Sequence, residues 1–471
     1  RFDILIRGGR VIDGTGNDWF RADVGIDGDR IVAVGDLGEA TGGRVIDTAG
    51  LYVSPGFIDL HSHADRAMTS EHVEARQARS LTSQGLTTVL GGPDGRNTEW
   101  PLEEEEAALE ERGHGMNLIL MVGHNTIRGE VMEDDYERPA TEDEIRRMRE
   151  LVRQGMEAGA WGLGAGVEYR PGRFSTTDEL VALAEEVAPY DGFYIAHQRS
   201  EATMPLWELP STARGWPVDG LQALQETIEI ARRTGIRVVG SHMKSRGRSS
   251  FGRSAHDTIV IHRAREEEGL QIFLDVYPYE TFGGGPRPMI PKWSLVDEGV
   301  EIDGGRDDPD WREDGLFDDA RENLRRRWSD PGTRRLIERD IRWIVDHNGG
   351  EDRVMVVDYP DSSFVGKSLA QIAAERGTTY QEVVVHMALN GYEDVRGGAW
   401  TRGYGIHDVD VVNYYRQDYT ATGSDAGVSG VEGIEDFESR PGAHPRHFGA
   451  FTRRIAHYVK DLNATSLPFA I

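Results

Sequence analysis

Pro55-Gly56-Phe57-Ile58-Asp59-Leu60-His61-Ser62-His63 is the stretch on which the fold turns: an apolar run, Leu51 to Leu60, ends there in two histidines spaced i, i+2. On a β-strand that spacing puts both side chains on one face. If the strand is the first of a parallel barrel, the two imidazoles converge at its C-terminal mouth, where barrel enzymes hold their chemistry. Two neutral imidazoles suit a divalent transition metal, most often zinc. A bare His-x-His is more often a pair of surface histidines. Here the Pro-Gly-Phe-Ile-Asp that precedes it, directly after a strand pattern, favours the metal.

From about residue 54 strands and helices alternate, the signature of parallel α/β architecture. Candidate strands end at His61/His63, at Leu90, near Val122, near Gly164, at His197, at His242, at Tyr277, at Val357 and at Asp425. The expected fold is a (β/α)8 TIM-type barrel over residues 54–471. These candidates exceed eight, so one belongs to an insertion or an extra element. Thr141-x-x-Glu144 and Thr176-x-x-Glu179 have the spacing of helix capping boxes. Residues 1–53 read instead as short strands joined by Gly/Asp turns, with Asp27-Gly28 as a hairpin signal, and are expected to form a small N-terminal β-sandwich domain. An irregular, charged segment around 283–352 reads as an insertion serving as a lid or an oligomer contact. The acidic run Glu103 to Glu106 reads as a solvated helix face.

The chain has 471 residues and a formal charge of −28, from 53 basic and 81 acidic side chains. That balance argues against a nucleic-acid partner and against anionic membrane surfaces. Lysine occurs only at 244, 292, 367 and 460, so 49 of the basic residues are arginine. There is no cysteine, which excludes disulfides and thiolate chemistry. No apolar run reaches the length of a membrane span and the N-terminus has a strand pattern, so a soluble cytoplasmic protein is expected.

His197 ends the apolar run Phe193 to Ala196, His242 follows Val238 to Ser241, and Asp425 follows Tyr419 to Ser424. One histidine at a strand end is usually a buried or rim residue. Four histidines and an aspartate, each ending an apolar run, form a metal set with a carboxylate able to act as general base. The chemistry that fits is hydrolysis. A divalent metal, zinc as one or two ions, activates water, and Asp425 takes the proton and passes it to a leaving nitrogen.

This set resembles the amidohydrolase superfamily, and within it the D-aminoacylases (N-acyl-D-amino-acid deacylases). The likeness runs through most of the chain: Pro55 to His63, Gln84-Gly85-Leu86-Thr87-Thr88-Val89, Val122 to Arg128 and His197-Gln198-Arg199-Ser200-Glu201. It continues in Ser241-His242-Met243-Lys244, Tyr277-Pro278-Tyr279, Gly423-Ser424-Asp425 and His444-Pro445-Arg446. The resemblance implies metal ligands at His61, His63, His197 and His242, Asp425 as base, and Lys244, Tyr277 and Arg446 near a small-molecule amide substrate. Arg446 suits an α-carboxylate, or it is a surface ion pair; Tyr277 polarises the scissile carbonyl, or it is a core aromatic.

Three departures qualify the resemblance. Where the family has a metal-binding cysteine, this chain has Asp94 in Gly91-Gly92-Pro93-Asp94-Gly95, either a harder ligand or a turn residue. The loop Gly427 to His444 carries Glu432, Glu435, Asp436 and Glu438, which would oppose an anionic substrate side chain. The chain also ends before the strands that complete the small β domain in the family. That implies an exposed edge covered by a second chain or by a neighbour in a homo-oligomer. A hydantoinase-like hydrolase of cyclic amides is the alternative enzyme, but Lys244 is not placed as its bridging carbamate. A non-catalytic barrel serving as an assembly partner is the alternative of another class.

Overall fold

Five strands open the chain: β1 (Phe2–Val11), β2 (Phe20–Asp27), β3 (Arg30–Gly35), β4 (Gly42–Asp47) and β5 (Tyr52–Val53). They form one sheet in the order β3-β2-β1-β4, with β5 also on β1. The neighbours β2 and β3 run antiparallel, whereas β4 and β5 run parallel to β1. Gly28 turns β2 into β3 at φ +59°, a conformation that a Cβ disfavours. β1 runs unbroken from Phe2 to Val11, with a register shift between Ile6 and Gly9 in its ladder to β2. Ile31, Val32, Val34 and Val45 are exposed on this sheet.

From Phe57 the pairing becomes parallel. The strands are β6 (Phe57–Asp59), β7 (Leu86–Leu90), β8 (Asn117–Ile119), β9 (Val122–Gly123), β10 (Gly162–Gly166), β11 (Phe193–His197), β12 (Arg237–Gly240), β13 (Ile272–Val276), β14 (Val354–Asp358), β15 (Trp400–Gly403) and β16 (Thr420–Thr422). One sheet runs β6-β7-β8 and a second β9-β10-β11-β12-β13-β16, with only Leu120 and Met121 between β8 and β9. A parallel bridge from Ser62 to Ala426 brings together the segments that follow β6 and β16. The chain is therefore a mixed α/β molecule built on parallel sheets. In this computed structural model residues 1–213, 215, 217–283, 288–296, 319–393, 395–439 and 443–471 are described.

The supernumerary strand candidate at Val354 to Val357 is β14, which pairs antiparallel with β15 away from the parallel strands. An apolar run alone does not say which sheet a strand joins. Packing decides, and β14 shares a second core with Leu324, Ile337, Ile341, Leu369 and Val384. That core continues to Ala399. Of the expected insertion, residues 284–287 and 297–318 lie outside the described residues. Among the helices, Thr141 and Glu144 form both arms of a capping box. Thr176 caps only through its hydroxyl, because the Glu179 carboxylate is drawn inward to His124 and Arg128.

Asp59 ties the first parallel strand to the last. Fully buried, it accepts the Ser424 N–H at 2.8 Å and the His61 N–H at 3.2 Å, and the Ser424 hydroxyl as well. Burial pushes its carboxyl up to about 7. Asp425 N donates to His61 O at 2.8 Å and His63 N to Ala426 O at 3.0 Å, so the ends of β6 and β16 are held in register. Asp59→Ala would strand these donors in the interior at a cost of about 3 kcal/mol, readable as a lower urea midpoint with an unchanged slope.

Candidate metal centre and active site

The side chains picked out along the sequence come together beyond the ends of the parallel strands. His61 and His63 follow β6, Asp94 lies in the turn after β7, His197 closes β11, His242 follows β12 and Asp425 follows β16. The strand ladder stops at Asp59, so the histidine pair stands just past the strand instead of on it. His242 at φ +35° and Asp425 at φ +52° both occupy the left-handed region, a strain that clusters at functional sites. The turn that carries Asp94 is pressed against β10: a Cβ on Gly95 would lie 2.8 Å from Gly166 N.

Asp94 faces the histidines from its turn. Its Oδ1 lies 3.6 Å from His61 Nε2, 3.5 Å from His197 Nδ1 and 3.9 Å from His242 Nε2, and its Oδ2 is 3.7 Å from His63 Nε2. Asp425 Oδ1 is 3.2 Å from His63 Nε2 and 3.7 Å from His61 Nε2. His61 Nε2, His197 Nδ1 and Asp94 Oδ1 are buried without a hydrogen-bond partner. Donors at about 2.0–2.2 Å from a tetrahedral zinc stand roughly 3.3–3.6 Å from one another, which is the spacing seen here. The residues fit a divalent cation, and in each of the triads His61/His63/Asp94 and Asp94/His197/His242 the ligand atoms lie within 4.8 Å of one another.

The far side of each imidazole is also fixed. His61 Nδ1 is 2.6 Å from Ser241 Oγ, which is 2.6 Å from Asp275 Oδ2. The serine has one proton to give, and the carboxylate takes it, so Ser241 accepts from His61 Nδ1–H and leaves the Nε2 lone pair facing the centre. His197 Nε2 is 2.9 Å from Glu168 Oε2, and His242 Nδ1 is 3.0 Å from Glu201 Oε1. Sequence reasoning gave none of Ser241, Asp275, Glu168 and Glu201 a role; their one signal was a polar side chain inside or just past an apolar run. Lys244 sits behind His242, 2.8 Å from its Nδ1 and paired with Glu201. Arg446 Nη1 is on Asp425 Oδ2, and the Tyr277 hydroxyl is buried without a partner.

Electrostatically the centre attracts a cation. Burial opposes charge on His63 and His197, yet the Asp425 hydrogen bond and Asp94 raise His63 to about 9. Glu201, Asp94 and Glu168 raise His197 to about 10. Burial lowers His61 well below the usual imidazole range, with His242 adding to it. Against their burial, Asp94 is held low by His197, and Asp425 well below the carboxylate range chiefly by Arg446.

A cavity of about 620 Å³ opens on His63, Asp94 and Glu168, and its walls carry Arg66, Arg96, Arg170 and Arg173. The acidic loop meets this wall at Asp436, 2.9 Å from Arg66; its residues 440–442 lie outside the described residues. The run Glu103 to Glu106 is not wholly a solvated face. Glu105 is buried, accepts from Asn97 at 3.1 Å and Thr98 at 2.9 Å beside this cavity, and is pushed by burial to about 7. Ser241→Ala should loosen His61 and lower affinity for zinc about 10–100-fold, measured by competition with a chromophoric chelator.

Known proteins bear on this geometry. The amidohydrolase family model matches residues 44–267. The D-aminoacylase of Alcaligenes xylosoxydans xylosoxydans is 30% identical over 100% of this chain and 82% of its own length. A solved D-aminoacylase described by its binuclear metal centre, with one-metal activation and second-metal attenuation, is similar at a TM-score of 0.65 and 29% identity, over 100% of this chain and 83% of that one. The N-acyl-D-glutamate deacylase of Bordetella bronchiseptica, solved with zinc and a phosphonate mimic of the tetrahedral intermediate, gives a TM-score of 0.67 at 26% identity, with coverage of 100% and 83%. The chain belongs to the amidohydrolase family, among the D-aminoacylases, hydrolases of carbon–nitrogen bonds other than peptide bonds.

Proposed function

We propose that the protein is a metal-dependent deacylase of N-acyl-D-amino acids or a related linear N-acyl compound. The single observation that carries this is the convergence of His61, His63, His197, His242 and Asp94 on one buried point with Asp425 at its edge. Its relatives' substrates point the same way, and the arrangement of cations around Tyr277 suits a substrate with a free carboxylate.

On this reading β8 and β9 are one interrupted strand. With β6, β7, β10 to β13 and β16 they make the eight strands of a (β/α)8 barrel closed through Ser62 and Ala426. Residues 1–53 form the small β domain and 54–471 the catalytic one. The four histidines and Asp94 would hold the metal, zinc first, and a divalent cation there would supply a lowered water pKa and polarisation of the amide carbonyl.

The chain's own groups do the rest. Arg446 and His63 keep Asp425 ionised, so its carboxylate can accept the proton of the attacking water. The same carboxylate, now protonated, delivers that proton to the leaving nitrogen, without which an amide anion would have to depart. The buried Tyr277 hydroxyl has no partner and is available to donate to the carbonyl oxygen as it gains charge. Lys244 and Glu201 orient His242 from behind.

A panel of N-acetyl-D- and L-amino acids tests the activity: the zinc-loaded protein should cleave the D-series, and failure on every member refutes the substrate assignment. Asp425→Asn should retain metal and lose about 10²–10⁴-fold in kcat. Asp94→Ala should lower the bound-metal stoichiometry measured by elemental analysis; unchanged content and affinity would return Asp94 to a structural role.

A further inference from the structure

We propose that the cavity beside the centre receives the acyl arm of the substrate and selects a bulky aromatic acyl group over acetyl; this rests on the deacylase reading above. Its volume of about 620 Å³ lies within the range of roughly 300–1,000 Å³ that takes a drug-sized ligand. An acetyl group displaces only a few waters, each with about 30 Å³ of liquid volume, and would leave most of the space to solvent. Pro93, Tyr136, Tyr169, Pro171, Leu206 and Trp207 supply the apolar and ring surface. Charge does not choose the occupant, because the lining holds four arginines and four carboxylates. Arg66 is paired with Asp436 at 2.9 Å and Arg170 with Glu137 at 2.8 Å. Arg170 and Arg173 also lie over the Tyr136 and Trp207 rings, at 6.0 Å and 5.5 Å. Matched charges leave apolar burial and ring packing to select.

The direction of the amide decides which arm enters. Asp425 must reach the leaving nitrogen, and the cations around Tyr277 suit the amino acid's carboxylate. None of Asp425, Tyr277, Lys244 and Arg446 is among the described residues lining the cavity, whereas His63 and Asp94 are. The amino acid's side chain branches from the carbon between that nitrogen and that carboxylate, so it stays with them. The arm left to fill the cavity is the one beyond the carbonyl carbon. The wall is also built onto the metal site. The Tyr169 ring lies 4.3 Å from the His197 ring, tilted by 48°. Leu206 N donates to Glu168 Oε1 at 2.8 Å, while Glu168 Oε2 is 2.9 Å from His197 Nε2. The carboxylate that orients a ligand thus fixes the backbone beside Trp207, and the ring wall is preorganised relative to the centre.

The test is steady-state kinetics of the zinc-loaded protein on N-acetyl-D-leucine, N-phenylacetyl-D-leucine and N-acetyl-D-phenylalanine, which place an aromatic ring on neither arm, the acyl arm or the side chain. The wild type should favour phenylacetyl over acetyl by about tenfold or more in kcat/KM. Trp207→Ala should cut that ratio to about threefold or less, chiefly through KM, and Trp207→Phe should keep most of it. Melting curves check that the variant folds; should Trp207→Ala not fold, Tyr136→Ala takes its place with the same expectation. A wild type that cleaves acetyl as well as phenylacetyl, or a ratio unmoved by the variant, overturns the proposal. So does a variant that shifts the D-phenylalanine to D-leucine ratio instead, since the cavity would then hold the side chain. Cleavage of all three without acyl preference refutes the aromatic acyl site and leaves the deacylase reading standing. Cleavage of none refutes the deacylase reading, and this proposal falls with it.

Discussion

Three buried atoms without partners, His61 Nε2, His197 Nδ1 and Asp94 Oδ1, govern the architecture around them. They face each other across 3.5–3.6 Å, too far to hydrogen-bond and too close to admit a layer of protein between them. Buried polar atoms in that state weigh against folding unless something offsets them. Asp94 and Asp425 add two negative charges at the same point, and that pair is tolerable only beside positive charge. The raised values of His63 and His197 express the same field, in which a proton occupies ground that would suit a divalent cation.

Holding such a centre open requires that each ligand be anchored elsewhere. His61 leans on Ser241 and Asp275, His197 on Glu168, His242 on Glu201, and Asp425 on Arg446. Apart from Arg446, which opens a helix after β16, the anchors come from four different parallel strands or the segments just past them, so the ring tightens only when those strands are in register. Asp59 controls that register where the first and last strands meet. It spends its carboxylate on the backbone of the very segments that carry His61 and Asp425, which couples the closure of the fold to the geometry of the site. The left-handed backbone at His242 and Asp425 is the residual cost of turning those side chains inward.

The ligands were legible in the sequence because each ends an apolar run, and an apolar run of strand length forces its last polar residue to the rim of the core. The parallel order and the hairpin at Gly28 were legible for related reasons, periodicity and turn chemistry. The anchors were not. Glu168 and Glu201 lie shortly past apolar runs, a signal too weak to separate them from Glu185 or Glu186, which pair with surface arginines. Glu105 sat within an acidic run whose other members are exposed, and only tertiary packing turned it inward. Val354 to Val357 reads as a parallel strand, because hydrophobicity reports burial and not the identity of the neighbour.

Charge placement resolves an apparent conflict between the whole molecule and its site. A chain of net charge −28 repels an anionic substrate at long range. That repulsion is screened within about 8 Å at physiological ionic strength, so the charges within one screening length of the entrance set the local sign. The cavity wall there carries Arg66, Arg96, Arg170 and Arg173 together with Asp65, Asp94, Glu133 and Glu168. Arg66 is partly neutralised by Asp436 and Arg170 by Glu137, at 2.9 Å and 2.8 Å. Arg96, by contrast, makes one described contact, to the carbonyl of Arg170 at 2.9 Å. Lys244, Arg246 and Arg446 near the ligands are buried. The entrance therefore mixes both signs, and a divalent cation bound among the four histidines and Asp94 would tip the local balance toward an anionic substrate.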